Sequence, residues 1–155
     1  MRQRNGFTLV EMVIVLAVVG ILLAIGLVSF HPDHVAVNQA ARGFADQLSR
    51  ARIEALKNDA YAFVTLDTSG DGSYAVCVDQ NGNAQCDAGE AVQTVSLGQG
   101  NNSQVRLASA AFSQFEFDPR GIPLTSPAGA VVFSNANDSY SVTVQVSTAG
   151  KATVQ

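Results

Sequence analysis

Glu11 is the single charged side chain among the 24 residues from Phe7 to Phe30, and Met12 to Val28 is a run of 17 residues without a polar side chain. A carboxylate inside a bilayer costs something like 2.5–3.5 kcal/mol on insertion scales, so an acid in such surroundings calls for a cationic partner. A second group of chemically capable residues lies in the middle of the chain. Asp79, Asn81, Asn83, Asp87 and Glu90 occupy positions 1, 3, 5, 9 and 12 of a twelve-residue window, the spacing by which calcium loops aim oxygen ligands inward. Position 6, where such loops need glycine, is Ala84, and the glycine stands two residues earlier at Gly82. Asn81-Gly82 is also a strong hairpin signal, so a turn without metal explains the same residues. His31, Asp33 and His34 supply a third cluster, but a metal needs convergent ligands from elsewhere and the chain has no further histidine.

Other chemistries find no residues to perform them. There is no Gly-x-Ser-x-Gly elbow, no His-Glu-x-x-His and no phosphate loop, and Gly98-Gln99-Gly100 completes no dinucleotide fingerprint. Both imidazoles precede residue 35, leaving a downstream Ser or Cys nucleophile without a base. The reading is that the chain is not an enzyme. Nine basic against 13 acidic residues give a net charge of −4, which argues against affinity built on phosphate contacts.

Three kinds of element must position these groups. As a helix, residues 7–30 extend about 36 Å, enough to span a hydrocarbon layer of roughly 30 Å. Arg2 and Arg4 before the run and Ala24-Ile25-Gly26 within it suit a secretory signal peptide, although the run is longer than a usual signal core. A bitopic anchor with its amino terminus inside fits the same arginines but leaves Glu11 unexplained. Pro32 should kink or interrupt the helix. Residues 31–60 then continue as an amphipathic helix, clearest from Val35 to Ala60, with Ala41, Phe44, Leu48, Ala51 and Ala55 on one face and Arg42, Asp46, Arg50, Glu54 and Lys57 on others. Residues 61–155 change period. Tyr61–Leu66, Ser73–Val78, Ala91–Leu97, Gln104–Leu107, Ser113–Phe117, Ala130–Phe133 and Tyr140–Val146 read as short strands. Val142, Val144 and Val146 alternate with Thr143 and Gln145 as in a half-buried strand. The expected class is α+β, a long amino-terminal helix packed on a mostly antiparallel sheet.

Arg4-Asn5-Gly6-Phe7-Thr8-Leu9-Val10-Glu11 followed by the apolar run resembles the class III signal of type IV pilins and type II secretion pseudopilins. The resemblance implies a leader of residues 1–6, cleavage after Gly6 by prepilin peptidase, and N-methylation of the new terminal Phe7. Cleavage would leave 149 residues with a net charge of −6. It would also supply the missing cation. Phe7 and Glu11 lie four apart, one turn on one helix face, and in the family the glutamate of one subunit is thought to pair with the terminal amine of its neighbour. Ala17, Gly20, Ala24 and Gly26 add small residues that permit close helix approach. Leu48 to Leu56 resembles the L-x-x-A-R-x-E-A stretch of the GspH/FimT branch, with Arg52 and Glu54 as its charges. Phe115 to Gly121 and the closing strands around Gly150 resemble later segments of that branch.

Several expectations follow from the resemblance. The protein is expected to be a minor pilin or pseudopilin, single-pass in a bacterial inner membrane with its head (61–155) in the periplasm, and then part of a type IV pilus or secretion pseudopilus. Its partners would be other pilins, the peptidase and the inner-membrane assembly platform. An extracytoplasmic head is an oxidising setting, so Cys77 and Cys86, with eight residues between them, are expected to form a bridge; free core thiols are the alternative. Some FimT-like pilins bind DNA through a carboxy-terminal G-R-x-R motif. The matching residues here are Gly150-Lys151-Ala152-Thr153, which keep one cation at Lys151 but no arginine fork to grip phosphate.

Overall fold

The computed structural model describes residues 8–28, 32–83, 85–87, 89–124 and 128–155. Gly6, Phe7 and His31, on which part of the sequence reading rests, lie outside them. The chain forms two compact units, one ending at Pro32 and one beginning at Asp33.

The first unit contains helix α1, Leu9–Val28, whose 20 residues rise about 30 Å. Its described side chains stop at Leu23, and among the described residues no helix is long and apolar enough to cross a membrane.

The second unit is built on α2, Pro32–Asn58, which buries Val37, Ala41, Phe44, Leu48, Ala51, Glu54 and Ala55 along one face. Proline is at home in a first helical turn, where its missing N–H has no intrahelical partner to lose. The segment expected at 31–60 is therefore slightly shorter, with Pro32 opening the helix.

Eight strands follow: β1 (Tyr61–Asp67), β2 (Ser73–Asp79), β3 (Ala91–Ser96), β4 (Val105–Ala110), β5 (Gln114–Phe117), β6 (Gly129–Asn135), β7 (Ser141–Val146) and β8 (Ala152–Val154). They form two four-stranded antiparallel sheets, ordered β3-β2-β1-β5 and β4-β6-β7-β8. One sheet was expected from the sequence. The chain instead changes sheet after β3, through Leu97, Gly98 and a 3-10 turn at Gly100–Asn102, and returns at β5 to pair with β1.

Both sheets turn apolar residues into one core with α2: Ala62, Val64, Val76, Phe115 and Phe117 from the first, and Val131, Phe133, Val142, Val144 and Val146 from the second. The alternation in β7 is realised, with Val142, Val144 and Val146 buried between exposed or half-buried neighbours. Phe63 departs from it. It lies in register with Cys77 and Glu116 on the face turned away from this core, yet it is fully buried. The bond from Cys77 to Cys86 fixes the loop after β2 to that face.

Candidate functional site

Glu11 sits in the first turn of α1. Its N–H donates to Thr8 Oγ1 at 3.3 Å, and the Met12 N–H donates to the Thr8 carbonyl at 3.2 Å. Thr8 thus caps the helix, and Thr8-Leu9-Val10-Glu11 has the spacing of a capping box, a signal that the reading of Glu11 as an intramembrane acid passes over. The carboxylate also lies at the positive end of the helix dipole. Around it the surface is apolar and uncovered: Leu9 is 80% exposed, Leu16 69% and Leu22 64%. A helix that is apolar all round needs lipid or other helices to cover it.

The 79–90 loop is a network of short-range hydrogen bonds. Asp79 Oδ1 accepts from the N–H groups of Gly82 at 2.6 Å and Asn83 at 3.2 Å. Asp87 Oδ2 accepts from the side-chain amides of Asn81 at 2.9 Å and Asn83 at 2.6 Å. Buried Glu90 accepts from Gln80 N–H and Asp87 N–H, both at 3.1 Å. The five residues whose spacing suggests calcium are therefore brought into one loop, where their oxygens take up the donors of a tight turn. Among the described residues no group of three or more His, Cys, Asp or Glu side chains is placed to hold a metal ion.

Cys77 and Cys86 form the bridge, with their Cα atoms 5.7 Å apart. Reduction is expected to lower stability by about 2.5–3 kcal/mol, the chain-entropy value for so short a loop. Urea midpoints of the full chain with and without reductant measure it, and unchanged midpoints would show that the hydrogen bonds alone hold the loop.

Of the charges in the L-x-x-A-R-x-E-A stretch, Arg52 is exposed and Glu54 is buried. Glu54 Oε2 accepts from Asn58 Nδ2 at 3.1 Å and Lys57 Nζ at 3.4 Å, and Arg50 Nε lies 3.8 Å from Oε1. Arg52 and Leu56 instead border the turn after β5. A Cβ on Gly121 there (φ 70°) would stand 3.1 Å from Arg52 Cγ and 3.2 Å from Leu56 Cγ.

That turn is organised by Asp118, a buried carboxylate. Its Oδ1 accepts from Ile122 N–H at 2.8 Å and Arg120 N–H at 2.9 Å, while Oδ2 accepts from Arg120 Nε at 2.9 Å and Nη2 at 2.8 Å. The Ile122 amide, helped by Arg120, holds this carboxyl below the ordinary carboxylate range. A carboxyl lowered by folding contributes stability above its unfolded pKa and loses it as the pH falls through the folded value. Glu116 has the opposite sign, since burial, reinforced by Asp79, pushes it up. Melting temperature is therefore expected to fall steeply only below about pH 4, and Asp118→Asn should flatten that fall. An equally steep acid limb in the variant would assign the loss to other groups.

Asp33 and His34 tie the start of α2 to the rest of the head. Asp33 Oδ2 accepts from Asn135 Nδ2 at 2.9 Å, and the His34 ring stacks on Tyr140 at 4.0 Å with 13° between planes. Lys151 is exposed in the turn between β7 and β8. Gly150 beside it (φ 72°) is required by packing as well as by backbone, because a Cβ there would stand 2.8 Å from Phe117 Cε1. The glycine of the G-R-x-R-like segment thus has a structural role independent of any ligand.

Comparison with known proteins agrees with this anatomy. Residues 40–150 match the family described as type II transport protein GspH, and residues 1–27 match the prokaryotic N-terminal methylation motif. The chain is 37% identical over 145 residues to the pilin-like protein PilA1 of Thermus thermophilus, covering 91% of this chain and 93% of that one. The fold is similar to that of the type IV minor pilin FimU of Pseudomonas aeruginosa, with a TM-score of 0.52 at 14% identity, covering 77% of this chain and 87% of that one. An apolar helix at the amino terminus, a head framed on the next helix and a sequence match through both place the chain in the GspH family of pilin-like proteins that carry the N-terminal methylation motif.

Proposed function

We propose that the chain is a structural filament subunit, made as a precursor with a short leader, cut by prepilin peptidase after Gly6, methylated on Phe7, and anchored by the 7–30 segment in a bacterial inner membrane with its head in the periplasm. From there the assembly platform moves it into a type IV pilus or type II secretion pseudopilus beside other pilins. The observation that carries this reading is the conjunction of Glu11 with an otherwise apolar, uncovered helix. An amide-blocked, uncut terminus offers that carboxylate no cation, whereas the amine freed at Phe7 does. The head supports a role in packing: its buried acids are engaged by neighbouring donors within the fold, and family membership is that of a structural subunit. DNA capture would rest on Lys151 alone among the residues of the G-R-x-R-like segment, which is thin support in a chain of net charge −4.

Intact-mass measurement of the protein from its native membrane tests the proposal. The expected species lacks residues 1–6 and carries one added methyl group. Full-length protein, or a chain cut after Gly26, would overturn it.

A further inference from the structure

We propose that Asn81 is a modification site, a spontaneous deamidation centre that the oxidised, folded loop holds in check. Asn81-Gly82 is the one Asn-Gly step among the described residues, and both residues are exposed. In the reaction, the Gly82 backbone nitrogen attacks Asn81 Cγ, a new N–Cγ bond closes a succinimide, and the Cγ–Nδ2 bond breaks. Ammonia leaves, carrying off the proton displaced from Gly82. Water then opens the ring at either carbonyl to leave aspartate or isoaspartate, so water is the only co-reactant. Glycine at the attacking position carries no Cβ to hinder the approach, and the space around Gly82 is open.

The loop geometry opposes each movement this requires. The Gly82 N–H is committed to Asp79 Oδ1 at 2.6 Å. The Asn81 amide is held at both ends: its Oδ1 accepts from Asn83 N–H at 3.0 Å and its Nδ2 donates to Asp87 Oδ2 at 2.9 Å. Glu90 and the Cys77–Cys86 bridge anchor the loop on the far side. Ring closure therefore waits for the loop to open, and the reaction rate reports that opening. The change is also one-way in its effect. A carboxylate at position 81 places an acceptor where Asp87 now receives a donor, so two anions face each other and the closed loop is disfavoured.

Incubating the full chain at mildly alkaline pH, oxidised and reduced, and following the peptide that contains Asn81 by mass spectrometry tests this. The reduced chain and an Asp87→Ala variant with its bridge intact should both deamidate at Asn81 about tenfold faster or more, and Gly82→Ala should suppress the reaction in the reduced chain, where strain of alanine at φ 76° no longer bears on loop opening. Because Asp87→Ala keeps the disulfide, its acceleration cannot be ascribed to global unfolding on reduction. Equal rates in the oxidised, reduced and Asp87→Ala chains, or modification at other asparagines while Asn81 stays intact in the reduced chain, would overturn the proposal.

Discussion

Phe44→Ala is expected to destabilise the head by about 3–5 kcal/mol, the range for emptying a fully buried aromatic site. Phe44 has no exposed surface and is the point at which α2 meets both sheets. Its ring packs edge-on against Tyr74 of β2 at 5.3 Å and tilted against Phe133 of β6 at 5.7 Å, while Tyr74 and Phe133 lie 6.4 Å apart. One ring from the helix thus locks one ring from each sheet. Burial also pushes the Tyr74 hydroxyl up to about 12, with Asp46 adding to the effect, as expected for a ring held in the apolar core. Domains of this size are stable by only about 5–15 kcal/mol, so the variant should unfold at a clearly lower urea concentration and lose near-ultraviolet tyrosine signal. A loss below about 1 kcal/mol, in the range of a surface change, would mean that the two sheets are joined without this cluster.

The parts of the fold legible in the sequence were those written in a repeating side-chain pattern. The spacing of Ala41, Phe44, Leu48, Ala51 and Ala55 fixes which face of α2 is inward, and that face is buried. The valines of β7 do the same at period two. Alternation says which way a residue points but not which strand lies beside it, so the pairing of β5 with β1 and of β4 with β6, and hence the division into two sheets, was not legible. Phe63 shows the same limit, because alternation with Ala62 and Val64 points it away from the main core and yet it is fully buried. Among the site residues, Glu11 stood out through charge in apolar surroundings, and the cysteine pair through compartment. Glu54 and Asp118 did not. Their burial depends on donors supplied by Asn58 and Lys57 on the following helical turn and by the backbone of a Pro-Arg-Gly turn, and an acid followed by basic neighbours looks the same whether solvated or enclosed. The calcium-like spacing was legible but not decisive, since oxygens at alternate positions serve a hydrogen-bonded turn as well as they serve a cation.

Glu11→Ala is expected to reduce entry of the subunit into filaments by about a hundredfold while leaving membrane insertion and the head fold intact. The magnitude follows from the insertion cost under the proposed pairing: something like 2.5–3.5 kcal/mol for an acid in the bilayer, at 1.36 kcal/mol per factor of ten, is the free energy that a neighbour's amine would relieve and that the variant would no longer gain on assembly. α1 and the head are separate compact units, and Thr8 caps the helix through the backbone of residue 11, which alanine retains. The fraction of the subunit in sheared filaments relative to membranes, compared between wild type and variant at equal expression, reads the effect directly. Glu11→Gln separates the two properties of the residue, since it keeps size and hydrogen bonding and removes charge. If pairing with an ammonium group governs assembly, Gln should fail nearly as badly as Ala. If capping or polarity at the helix start were the basis, Gln would assemble normally, and the reading of Glu11 as the counter-charge of an adjoining subunit would have to be abandoned.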